Sequence, residues 1–142
     1  MFSESALAPT LIQAYMATLY RVDAAPPFVL KVGEPNESLA QLLTQQNVEC
    51  AAYLTACNPL GQLLSDADNL HRQSELENEL NRRSLQFICG TGQDIQGEWL
   101  GEDSFLILGL SLEASRALAR QYEQNAFVWC AKDAIPQLIL LK

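Results

Sequence analysis

The chain has 142 residues, 49% of them apolar and 18% charged, with 17 acidic residues against 9 basic ones and a formal net charge of −8. That profile argues against a disordered segment, and the length against two ordinary domains, so one globular domain over residues 1–142 is expected. Contacts to phosphate need Lys or Arg, and the bases are scattered, with Arg82-Arg83 the densest pair; nucleic acid and anionic membrane surfaces are therefore not expected partners.

The first basic residue is Arg21, so the start lacks the charged flank and apolar run of a secretory signal. No apolar stretch nears the ~20 residues that span a bilayer. A cytoplasmic location is expected. The four cysteines (Cys50, Cys57, Cys89, Cys130) show no Cys-x-x-Cys pairing, and His71 is the one histidine. Buried free thiols are expected, without metal and without a cofactor.

Leu11, Ile12, Tyr15, Met16 and Leu19 recur at helical spacing, which predicts a helix over 5–19 with Pro9 near its first turn. A short strand at Tyr20–Val22 follows, then a turn at Ala24–Pro27 and a strand at Phe28–Val32. Asn36 is placed to cap a second helix carrying Leu39, Leu42 and Leu43. Glu49–Ala56 is almost continuously apolar and reads as a central strand covered on both faces.

Asn58-Pro59-Leu60-Gly61 opens a loop, and Ser65 with Asp68 has the spacing of a capping box for a third helix to Arg83. Strands are expected at Gln86–Cys89, Glu98–Leu100 and Ser104–Leu110. Ser111 caps a fourth helix with Leu112, Ser115, Leu118, Ala119 and Tyr122 on one face. Ala126–Ala131 and Gln137–Leu141 read as a hairpin through Lys132–Pro136. The expected architecture is an α+β sandwich: a mixed, largely antiparallel sheet of about five to seven strands, packed by about four helices.

The obvious motifs fail on chemistry. Gly90-x-Gly92 begins like a dinucleotide fingerprint, but Ile95 replaces the third glycine and a strand follows instead of a helix. Gly92 and Gly97 have phosphate-loop spacing, but Glu98 and Trp99 stand where Lys and Ser/Thr are required. Turn chemistry is the plain reading of these glycines. His71 is the only imidazole that could activate Cys57, and an exposed helix histidine is the simpler account. Glu102, Asp103 and Ser104 put two acids beside a hydroxyl, with exposed turn acids as the simpler account.

One pattern resists that treatment. Asn69, Gln73, Leu76 and Leu80 follow i, i+4, i+7, i+11, so two amides share the buried face of the third helix. They point toward the end of the central strand, where Thr55 and Asn58 lie. Buried amides must be hydrogen-bonded. Either they satisfy loop backbone around Asn58-Pro59 or Gln124-Asn125, or they line a pocket for a small polar ligand.

The chain resembles a family of small bacterial proteins catalogued as domain of unknown function three-two-nine-three. The resemblance rests on Tyr15 and Tyr20, Thr55-Ala56-Cys57-Asn58-Pro59, and Ser65 followed by Asn69, Arg72 and Gln73. It continues with Gly90-x-Gly92, Trp99, Glu102-x-Ser104, and Gln124-Asn125-Ala126 ahead of a strand with Trp129. The family usually has tryptophan at the position of Cys57, which counts against Cys57 as a nucleophile. The resemblance implies a bacterial source and a cytoplasmic domain, and no reaction.

The ligand-binding candidates are Thr55, Asn58, Asn69, Arg72, Gln73, Glu102, Ser104, Gln124 and Asn125. The leading expectation is a non-catalytic binding or regulatory module with an amide-rich polar pocket for a small polar ligand or protein partner. The second is a small hydrolase-like enzyme with Glu102 as acid or base, while Ser104, Asn69, Gln73 and Asn125 position substrate. The third is a purely structural partner or a homodimer, using an exposed C-terminal strand edge or the Trp99 loop.

Overall fold

A computed structural model describes residues 7–94 and 101–142 of the chain. In chain order its elements are α1 (Pro9–Ala17), β1 (Leu19–Val22), β2 (Phe28–Leu30), α2 (Glu37–Gln45), β3 (Ala51–Leu54), α3 (Asp66–Arg82), β4 (Phe87–Gln93), β5 (Glu102–Leu108), α4 (Leu112–Gln121), β6 (Ala126–Cys130) and β7 (Gln137–Leu140). The strands form one curled sheet in the order β2-β1-β4-β5-β3-β6-β7. Every described pairing is antiparallel. The α+β class is as expected, at the antiparallel extreme of the sheet envisaged.

The sheet is covered on both faces where its strands are apolar without interruption, along β3 and the Phe105–Leu108 half of β5. All four residues of β3 are buried. Ala51 and Tyr53 turn one way, into a cluster with Leu106, Leu108, Val128 and Cys130 that Leu39 and Leu43 of α2 close. Ala52 and Leu54 turn the other way, toward Phe105, Ile107 and Phe127, beneath Leu76 and Leu80 of α3 and Leu118 and Ala119 of α4. A two-residue side-chain period divides each strand between two cores.

The caps behave as the sequence implies. Asn36, Ser65 and Ser111 accept from the backbone N–H of Leu39, Asp68 and Ala114 at 2.9, 3.1 and 3.2 Å. Each satisfies a helix-terminal donor that would otherwise lack a partner.

Four expectations need correction. The first helix runs Pro9–Ala17 within the described residues: Pro9 opens it, and Thr18, extended at ψ 143, ends it. Gly90 and Gly92 are not a turn but part of β4, where Gly90 pairs with Val22 and Ser104. A Cβ on Gly90 would stand 2.1 Å from the Arg21 carbonyl oxygen and 2.8 Å from the Tyr53 hydroxyl, so close backbone approach demands glycine. Likewise, β5 starts at Glu102 instead of Ser104, because Glu102 and Asp103 pair with Gly92 and Thr91. The thiols are not uniformly buried: Cys57 and Cys130 are, Cys50 is half-buried and Cys89 is exposed. The strand expected at Glu98–Leu100 lies outside the described residues, as does Trp99.

Candidate functional site

The chain leaves β3 into a loop whose first task is to satisfy its own backbone. Thr55 Oγ1 donates to the Asp103 carbonyl at 2.6 Å and accepts from Cys57 N at 3.0 Å. Asn58 is in the left-handed region at φ 49, a conformation that asparagine tolerates better than most residues. Its side chain is used at both ends. Asn58 Oδ1 accepts from Leu64 N at 3.0 Å and from Asn69 Nδ2 at 2.8 Å, while Asn69 Oδ1 accepts from Asn58 N at 2.9 Å. Asn58 Nδ2 then donates to Glu102 Oε2 at 2.8 Å.

The other helix-borne candidates secure the same loop. Gln73 is buried, and its Oε1 accepts from Ala56 N at 3.0 Å. Its Nε2 has no hydrogen-bond partner among the described residues. Arg72 donates to the carbonyls of Ala56 at 2.7 Å and Tyr122 at 2.6 Å, stapling the loop to the end of α4. Gln124 Nε2 donates to the Cys57 and Tyr122 carbonyls, each at 3.1 Å. These bonds are what the loop-backbone account of the amides requires.

Glu102 is different. It sits half-buried at the start of β5, with no ion-pair partner among the described residues. Burial raises its carboxyl pKa above the ordinary carboxylate value, and the Asn58 amide opposes part of that rise. Its charge bears on Tyr15 and Tyr20, whose phenols burial has already pushed up. Tyr20 donates to the Tyr15 carbonyl at 2.6 Å, and Asn125 Nδ2 donates to the Tyr15 hydroxyl at 3.5 Å. Asn58 thus contacts the carboxyl directly, Tyr15 and Tyr20 lie within reach of its charge, and Asn125 joins through the Tyr15 hydroxyl, with Asn69 bonded to Asn58.

The family model that describes a protein of unknown function, DUF3293, matches residues 54–127, just over half of the chain. The chain belongs to the DUF3293 family. No curated protein matches the chain, and no solved structure does. The DUF3293 match takes in Asn58, Asn69, Gln73, Glu102, Ser104, Gln124 and Asn125. Tyr15 and Tyr20 fall before it.

The arrangement limits the available chemistry. His71 is 76% exposed and faces Glu75 at 3.7 Å, so it offers Cys57 no base. Burial raises the Cys57 thiol pKa, which keeps it neutral and poorly nucleophilic. Ser104 is buried and donates to the backbone carbonyl of Glu102 at 3.1 Å, so its hydroxyl is engaged. No cluster of three or more His, Cys, Asp or Glu suited to a metal occurs among the described residues, and no described helix is long and apolar enough to cross a membrane. Two shallow grooves of about 410 and 390 Å³ lie along Leu42, Leu85 and Phe87 and along α2, away from Glu102. Sequence reasoning missed Tyr15, Tyr20 and Gly92 as neighbours of Glu102. The alternation of β1, β4 and β5 carries that signal once their register is known.

Proposed function

We propose that this member of the DUF3293 family is a non-catalytic binding or regulatory module whose small polar ligand is held at Glu102. The observation that carries the reading is a half-buried carboxyl whose hydrogen-bond donor among the described residues is the neutral Asn58 amide. Desolvating a carboxylate without a cationic partner is unfavourable, which makes such a group a candidate for a functional role. Tyr15 lies within reach of its charge and is bonded by Asn125, while Asn69, Gln73, Arg72 and Gln124 hold the loop that presents Asn58. The amide-rich pocket is thereby recast as a carboxyl site on an amide-braced loop.

The test is a fragment screen by amide NMR on the full chain, repeated with Glu102→Gln. Saturable shifts centred on Asn58, Glu102 and Tyr15, lost in the variant, are expected. Hits confined to other surfaces would remove the reading.

The second reading, a small enzyme with Glu102 as acid or base, draws support from the direction of the Glu102 shift: burial raises its pKa, and so favours the protonated form more than in a solvated glutamate. Ser104 gives it no help, since its hydroxyl is engaged with backbone. Turnover of any ester or amide in a substrate panel, abolished by Glu102→Gln, would favour this reading over the first.

A further inference from the structure

We propose that β7 is an interface between two copies of this chain, which pair antiparallel along Leu138–Leu140 and join their sheets into one. The interface is independent of Glu102, since β3 and β6 lie between β5 and β7.

The two edges of the sheet are built differently. β2 is three residues long, and Asn36 Nδ2 donates to its outward Val29 carbonyl at 2.9 Å. β7 has no such cover along its middle. Leu141 N donates to Asn125 O at 2.9 Å, and antiparallel alternation then turns Gln137 and Ile139 toward β6 as well. Leu138 and Leu140 therefore point their N–H and C=O groups outward, where no described residue bonds them. Pro136 faces the same way, and its carbonyl accepts from Gly33 N at 2.8 Å, so the loop after β2 closes the edge at that end. The side chains of β7 suit an interior strand. Leu138 packs on one core and Ile139 and Leu141 on the other, which makes the strand apolar on both faces. Native edge strands are ordinarily short, charged or covered.

A second copy is the occupant that this edge specifies. A two-fold axis through Ile139 sets Leu138 of one copy opposite Leu140 of the other. Each such pair exchanges both of its backbone hydrogen bonds, and its two leucines meet on one face. The charges agree. Residues 134–142 hold no acid and carry Lys142, in a chain of net charge −8. The axis brings the partner's Lys142 toward Pro136, where the loop of Glu34 and the turn of Asp133 adjoin. Neither acid has an ion-pair partner among the described residues, while Lys132 of that turn reaches Glu49 at 4.0 Å. The covered β2 edge stops growth at two copies.

The experiment is analytical ultracentrifugation of the full chain from about 10 μM to about 1 mM, with amide hydrogen exchange at both ends of that range. A mass that doubles with concentration is expected. The Leu138 and Leu140 amides should exchange fast when dilute and about tenfold or more slowly once the dimer dominates, while Ile139 stays protected throughout. Leu140→Pro removes an N–H that β6 does not use, so it should keep the fold by circular dichroism and stay monomeric. A wild type monomeric across the range would overturn the proposal. So would a dimer whose Leu138 and Leu140 amides remain fast, or a folded Leu140→Pro protein that dimerises like the wild type. Should the proline variant not fold, the exchange rates of the wild type decide alone.

Discussion

Asn58 Nδ2 donates to Glu102 Oε2 at 2.8 Å, joining the loop after β3 to the first residue of β5 across 44 positions of sequence. Both ends of the Asn58 amide are engaged, and its backbone lies at φ 49. Two substitutions separate these roles. Asn58→Gly keeps the left-handed backbone at little cost and removes the amide, orphaning Leu64 N and part of Asn69; a loss of about 1–3 kcal/mol is expected. Asn58→Ala adds left-handed strain of roughly 1–2 kcal/mol to the same loss. Urea denaturation of both variants checks the order. Wild-type stability in the glycine variant would mean that the amide does not hold the loop.

The two glycines of β4 make a sharper contrast. Gly90→Ala drives a Cβ against the Arg21 carbonyl and the Tyr53 hydroxyl, which itself donates to that carbonyl at 2.7 Å. Overpacking against backbone costs about 1–3 kcal/mol, so this variant should melt several degrees lower. Gly92→Ala meets nothing closer than 3.8 Å among the described residues, and alanine reduces the entropy lost on folding; its stability should equal the wild type or exceed it by up to ~1 kcal/mol. Thermal melts of the pair decide the matter. Equal losses would refute the account of β4.

Much of this architecture was legible in the chain, and the reason is local. Asn36, Ser65 and Ser111 announce their helices because capping is a contact over three residues. β3 reads as a covered central strand because its apolar run is unbroken. The glycines of β4 read as a turn in the sequence because the need for Gly90 comes from the Arg21 carbonyl on the neighbouring strand and from the Tyr53 hydroxyl two strands over, 69 and 37 positions away. The helical wheel placed Asn69 and Gln73 on the inner face of α3, and Gln73 is indeed buried there. It did not place Tyr15 or Gly92 beside Glu102, since that neighbourhood depends on long-range register.

Asn69 and Gln73 serve the scaffold, and their removal should show it. Asn69→Ala strips Asn58 N of its acceptor and Asn58 Oδ1 of one donor, at an expected cost of about 1–3 kcal/mol. Gln73→Ala orphans Ala56 N but also removes the buried, unpartnered Nε2, so the two effects oppose each other and a smaller loss follows. Melting both variants beside the wild type tests the ranking. An Asn69→Ala protein as stable as the wild type would return that amide to the list of ligand contacts.

Glu102 should also leave a signature in the dependence of stability on pH. Burial raises its folded-state pKa above the ordinary value. A carboxyl with a raised folded pKa binds its proton more tightly when folded, so its contribution favours folding below the unfolded pKa. That contribution is lost as pH rises through the interval up to the folded value, and the ionised group then weakens the fold at neutral pH. The nearby Tyr15, Tyr20 and Cys57 are also raised, which keeps them neutral at pH 7 and out of this balance. Glu102→Gln removes the charge while keeping an acceptor for Asn58. The variant should therefore melt above the wild type at pH 7, with the difference closing toward roughly pH 3, below the ordinary glutamate value, where the wild-type carboxyl holds its proton in both states. Melts across that range provide the check. Parallel curves at every pH would show Glu102 to be fully solvated, and would take away the desolvation on which a ligand at this carboxyl depends.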